Sequence, residues 1–330
     1  MNRRGLALYS LAHFWVDLSC ALLIFGRVAP GGEGVFVFLL YNFCAFALQM
    51  PLGLLADRFG GERWFAALGC LLAAGAWAMG GLPAAVTAGV GNALFHVGGG
   101  VYALHGSTGC APLGLFVSPG ALGIYLGALT GVREAIPNPV VWLVLLALGG
   151  AVLLWGRGAP GPDYDPVPAG GGKAVFPLLA LFAVVVLRAL LGGLFRFPWK
   201  GELGLLLAVA VAGGKAAGGL LADRLGRPRV AAGSLALAAV CFLGCDAPAL
   251  GLTAVFLFNM TMPLTLWGAG RMLRGAKGFA FGLLTFALFL GTVPVLLGAP
   301  MPSGGGLLYA AGAAVSLALL WLGLRERGSR

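Results

Sequence analysis

His13 and Asp17 lie four residues apart in the apolar run LAHFWVDL, a spacing that puts both on one face of a helix. An imidazole beside a carboxylate can hold or exchange a proton near neutral pH. Three more ionisable groups stand in equally apolar surroundings: His96 in GNALFHVGGG, Arg188 in VVLRALLG and Lys215 in GGKAAGGLL. Such groups are costly to bury and mark substrate or ion pathways by default. Polar neutral groups keep them company, with Asn92 one turn before His96 and Asn259 and Thr261 in FNMTMP. One carboxylate against two fixed cations and two histidines leaves a positive excess, which favours an anion because charge is little screened there. Arg188 suits a carboxylate or phosphonate through paired hydrogen bonds. The candidate substrate site is therefore Arg188, Lys215, Asn92, His96, Asn259 and Thr261, and the candidate proton-coupling groups are Asp17 and His13. Plainer readings stand beside these. Lys215 could snorkel to a membrane face, and Arg188 could serve an inter-helix ion pair. His96 could be a satisfied core histidine, and His13 and Asp17 could share a structural hydrogen bond.

The elements that position these groups are membrane helices. Hydrophobic residues make up 60% of the 330 and charged residues 10%, against about 25% charged in a soluble domain. Runs of about 20 apolar residues, long enough to cross a bilayer, fall at 5–27, 34–56, 63–81, 83–105, 111–131 and 137–156, then at 174–196, 203–222, 229–246, 248–267, 278–298 and 304–324. The expected fold is all-α, with twelve transmembrane helices in two six-helix bundles. The bundles would span 1–156 and 174–330, joined by a flexible Pro- and Gly-rich cytoplasmic linker at 157–173. His13 and Asp17 interrupt what would otherwise resemble a signal-peptide core, so the first run reads as a mature helix. His105 falls at the end of its run and is expected to be wet. Pro263 is expected to break its helix just after Asn259 and Thr261. By rise per residue, Asp17 and Arg188 sit roughly 18 and 21 Å from the cytoplasmic boundary, so a pair between them would link the halves.

The formal net charge is +10, and its placement accounts for it. Fifteen of the 21 Lys and Arg fall on one side of these spans and four, Arg27, Arg133, Arg196 and Lys200, on the other, with Arg188 and Lys215 inside the spans. That bias places both termini in the cytoplasm of a cell (inner) membrane protein, and no nucleic-acid partner is needed to explain the charge. The six cysteines are scattered and read as small buried residues. No His/Asp/Glu cluster has metal-binding spacing and no Gly-x-Ser-x-Gly nucleophile occurs, so no cofactor, metal or enzymatic activity is expected. With short loops and a tiny tail, a ligand-binding sensor or scaffold has little to recruit partners with, and a monomer is expected.

The hexapeptide GLLADR occurs twice, at 53–58 and 219–224, so the two copies are 166 residues apart. Both fall at the inner end of the second run of their half, which implies a parallel repeat about an axis along the membrane normal. The repeated pattern Gly-x-x-x-Asp-Arg-x-Gly resembles the signature of the major facilitator superfamily. That resemblance implies an inner-gate latch at Asp57, Arg58, Asp223 and Arg224, with each Asp near a neighbouring helix N-terminus and paired with a basic residue. It also implies that the first, fourth, seventh and tenth helices line a central cavity, and each of those four carries at least one buried polar group. The first copy departs from the pattern after Gly60, where Gly61 and Glu62 replace the usual basic residue. By the 166-residue offset, Lys215 maps onto neutral Gln49.

LAHFWVDL, GNALFHVGGG, FVSPGALGIYLG, VVLRALLG and GGKAAGGLLADRLG together resemble the fosmidomycin-resistance branch of that superfamily. Val97 stands where the branch has a proline, and Ser118-Pro119-Gly120 with Gly123 only approximates the exporters' Gly/Pro motif. The resemblance implies proton-coupled export (antiport) of a small organic anion. Anion uptake by symport, or a transporter-like sensor that binds without transporting, are the alternatives.

Overall fold

Apolar sequence with abundant small residues closes its backbone hydrogen bonds within helices, the arrangement a bilayer demands. The computed structural model describes residues 2–29, 34–133, 136–158, 161, 163–299 and 305–324. The first half folds as α1 (Arg3–Leu23), α2 (Gly34–Asn42), α3 (Gln49–Phe59), α4 (Glu62–Gly75), α5 (Gly81–Gly106), α6 (Ala111–Arg133) and α7 (Asn138–Trp155). The second half gives α8 (Val175–Leu194), α9 (Gly204–Leu225), α10 (Arg227–Leu243), α11 (Pro248–Asn259), α12 (Met262–Met272), α13 (Lys277–Leu296) and α14 (Gly305–Leu324). Wide π-type turns extend α1 to Val28 and join α2 to α3, and a two-residue turn joins α11 to α12. Grouped by continuity, the described helices form twelve rods that follow the twelve expected runs. Nine of them are long and apolar enough to cross a membrane. α4 and α10 are short, at 14 and 17 residues, and Asn92, His96, His105 and many glycines dilute the hydropathy of α5. The chain is a multi-pass membrane protein.

Two expectations need correcting in detail. The linker is tacked down: Asp165 N–H donates to the Gly275 carbonyl (3.0 Å) and Ala169 N–H to that of Met272 (2.7 Å). The break falls at 260–261, so that Thr261 lies in it rather than just before it. Proline has no N–H to contribute and is at ease in a first turn, so Pro263 starts α12.

Packing pairs repeat along the chain: α1 lies on α6 and α8 on α13, while α4 lies on α5 and α10 on α11. The two halves of the sequence meet where α3 packs on α13 and α6 on α9. Small residues set these distances. Gly123, Gly127 and Gly131 of α6 face the main-chain oxygens of Phe14, Leu18 and Leu22 on α1, with no room for a Cβ. At the α3–α13 seam Gly53 opposes Gly278 and Gly282 opposes Gln49. The outer surface carries large apolar side chains such as Leu143, Leu154 and Leu307, as a lipid-facing surface should. Gly127→Leu is expected to lower the unfolding midpoint of the detergent-solubilised protein, at an overpacking cost of about 1–3 kcal/mol. Gly233→Leu, at a position with open space around it, should leave the midpoint unchanged.

Candidate functional site

The pair on α1 gains a third member from α5. His13 Nε2 lies 3.2 Å from Asp17 Oδ2, and His96 Nε2 lies 2.9 Å from His13 Nε2 and 3.6 Å from Asp17 Oδ1. Asn92, one turn before His96, donates its amide Nδ2–H to Asp17 Oδ1 at 2.9 Å. All four side chains are buried, between 1% and 6% exposed. The tautomers follow from main-chain partners. His13 Nδ1 lies 2.7 Å from the Phe116 carbonyl of α6, and His96 Nδ1 lies 2.9 Å from the Asn92 carbonyl. Carbonyls only accept, so both Nδ1 atoms carry hydrogen and both Nε2 atoms face inward. Two bare nitrogen lone pairs would repel at 2.9 Å. A proton or a cation between them would relieve that repulsion, with Asp17 beside it to meet the charge. His96, expected beside the substrate, is thus placed with the expected coupling pair.

Gly120 of α6 completes this cluster, because a Cβ there would run into His13 Nε2 and Asp17 Oδ2. Its Ser-Pro-Gly motif is visible in the sequence, but its place against Asp17 is not. Likewise His13, Asp17 and His96 form a group of potential metal ligands whose ligating atoms all lie within 4.8 Å of one another. Spacing along the chain hides the group, since the third ligand comes from another helix.

The cations are arranged differently. Arg188 on α8 is 6% exposed, and its one hydrogen bond among the described residues runs from Nη1 to Thr261 Oγ1 at 3.3 Å. Thr261 in turn donates to the Phe258 carbonyl (2.9 Å) in the turn between α11 and α12. Lys215 on α9 reaches inward to the Val117 carbonyl of α6 at 3.4 Å, so it does not snorkel. It stands within electrostatic range of both Arg188 and Asp17. No ion pair joins Asp17 and Arg188 among the described residues. Asn259 bonds back to the Val255 carbonyl of its own helix (2.9 Å) and has no recorded bond to the cations. His105 is half-buried at the end of α5.

The duplicated motif works through main-chain amides. Asp57 accepts from Gly278 N–H and Phe279 N–H, both at 2.7 Å, at the start of α13. Asp223 accepts from Cys110 N–H (2.7 Å) and Ala111 N–H (2.8 Å) at the start of α6. Each carboxylate meets the positive end of a helix from the other half of the sequence. Arg58 and Arg224 are exposed, and the expected partner of each carboxylate, a basic side chain, is supplied instead by two backbone N–H groups.

No family model and no curated protein sequence matches the chain. Solved structures do. The Escherichia coli fucose:proton symporter FucP aligns with a TM-score of 0.68 at 16% identity, over 98% of this chain and 99% of that one. The fold is that of the major facilitator superfamily. The human organic anion transporter MFSD10 gives 0.69 at 15% identity over 97% and 99% of the two chains, and the proton:xylose symporter XylE 0.59 at 13% over 97% and 96%. All three are transporters. In this major facilitator fold, Asp57→Ala and Asp223→Ala are each expected to cost about 0.5–2 kcal/mol of stability through loss of a helix cap. Arg58→Ala and Arg224→Ala should stay within about 0.5 kcal/mol, as read by thermal unfolding.

Proposed function

We propose that this chain is a secondary active transporter that moves a small organic anion by alternating access. The single observation that carries the proposal is Arg188. It is a buried guanidinium with five N–H donors, one of them engaged by Thr261, and no carboxylate within ion-pair reach among the described residues. Lys215 adds a second positive charge nearby. A buried cation left without a partner is strongly unfavourable, and an anionic ligand supplies what is missing. A carboxylate, phosphonate or phosphate ester would bind Arg188 through paired hydrogen bonds, with Lys215 and Thr261 beside it and Asn92, His96 and Asn259 lining the approach. The structural neighbours, one an organic anion transporter and two proton symporters, support secondary transport in this fold.

The architecture proposed for the cycle is two six-helix bundles, 1–156 and 174–330, joined by 157–173, with all twelve rods crossing the cell (inner) membrane and both termini in the cytoplasm. The repeated packing pairs and the distribution of Lys and Arg support it. The amide contacts of Asp57 and Asp223, with Arg58 and Arg224 alongside, would close the cytoplasmic side and release as the bundles rock. Proton exchange at Asp17 and His13 would drive export. The protein works as a monomer in this scheme, as each bundle pair contains a whole pathway.

Purified protein in proteoliposomes, offered a panel of carboxylates, phosphonates and phosphate esters under an imposed pH gradient, tests the reading. Flux of at least one anion is expected. Arg188→Ala should weaken its binding roughly 30-fold or more, with Arg188→Lys recovering part of the loss. Tight anion binding without flux would convert the transporter into a sensor. Asp17→Asn is expected to leave anion exchange in place while abolishing accumulation driven by the pH gradient, and accumulation by that variant would remove Asp17 from coupling.

A further inference from the structure

We infer that His13, Asp17 and His96 form a binding site for one divalent transition-metal ion. The ligand set is two imidazole nitrogens and a carboxylate, a donor combination that zinc and its first-row neighbours take and that Mg2+ or Ca2+ avoids. The geometry is already that of a metal site. With metal–nitrogen bonds of about 2.0–2.1 Å, two nitrogens 2.9 Å apart subtend about 90° at the ion. The carboxylate oxygens lie 3.2 and 3.6 Å from the two nitrogens, close enough for one of them to complete a three-ligand face around the same point.

The surroundings match as well. Metal-bound imidazoles have their other ring nitrogen held by an outer partner that sets the tautomer. Here both Nδ1–H groups donate to main-chain carbonyls, at 2.7 and 2.9 Å, so both Nε2 lone pairs point at the shared position. Asn92 holds Asp17 Oδ1 at 2.9 Å and leaves Oδ2 to the ion. Gly120 keeps the remaining side clear, where a Cβ would run into His13 Nε2 and Asp17 Oδ2. The ion fills the position between the two Nε2 atoms, and Asp17 meets one of its two charges, which leaves the site one unit positive. Lys215 of α9 is a cation within electrostatic range of the cluster. Anion binding at Arg188 is not required for any of this.

Tag-free protein in detergent, stripped of metal by dialysis against a chelator, is titrated with Zn2+ by calorimetry and with Co2+ by visible absorption. One ion per chain is expected, with a ligand-field spectrum for Co2+ and no displacement by a large excess of Mg2+. His13→Gln and His96→Gln should each abolish that spectrum while the unfolding midpoint of the ion-free protein is kept. Asn92→Ala should weaken binding about 10–100-fold, as loss of an outer-shell partner does, and Gly120→Ala should block it sterically. If Zn2+ binds no tighter than to the double histidine variant, or if both single variants keep the Co2+ spectrum, the assignment is overturned.

Discussion

Asp17 is buried with both oxygens engaged, one by the Asn92 amide and the other by His13, with His96 close behind. Asp17 makes these contacts within α1 and α5, and among the described residues it forms no ion pair with Arg188, which is equally buried in the second half of the sequence. The interior therefore divides into a balanced half, where histidines and a carboxylate share charge, and an unbalanced half, where Arg188 and Lys215 repel each other across low-dielectric space. A direct Asp17–Arg188 pair would cancel the second half and leave little reason for an anion to enter. The pairing within α1 and α5 is what keeps the cation on α8 available, and the proposed transport cycle depends on that separation.

The ends of the helices are governed by a related economy of charge. Asp57 and Asp223 each satisfy two N–H groups that their helices leave without intrahelical partners, and each does so across the seam between the two halves of the chain. Close main-chain approach at Gly53, Gly278 and Gly219 brings the carboxylates within reach. Contacts of this kind involve few groups, which would suit the rocking joint of the proposed cycle. Arg58 and Arg224 are exposed, and Arg58 lies over the ring of Phe59.

Helical runs were legible because the bilayer imposes a length and an apolarity that leave little freedom: the first expected run, 5–27, became α1 with its extension to Val28, and the last, 304–324, became α14. Legibility failed where a local rule had two outcomes. A proline ends one helix or begins the next, and Pro263 begins α12. A Pro- and Gly-rich stretch is free until something binds its backbone, and Gly275 and Met272 bind Asp165 and Ala169. The motif carboxylates were expected at a neighbouring helix N-terminus with a basic side chain as partner; each sits at such an N-terminus, and two main-chain amides are the partners there.

Composition, period and the doubled GLLADR determined that this is a membrane protein of repeated helices, and they singled out the buried ionisable residues, since burial of such groups is costly enough to be conspicuous in any apolar run. Which of those residues touch was decided only by the tertiary structure. His96 reaches His13 because α5 crosses α1 at one height, Gly120 clears their shared position because α6 lies against both, and Arg188 stays apart because α8 belongs to another packing pair. Contacts between helices depend on crossing angle and axial register, and neither quantity is written in the spacing of residues along a single helix.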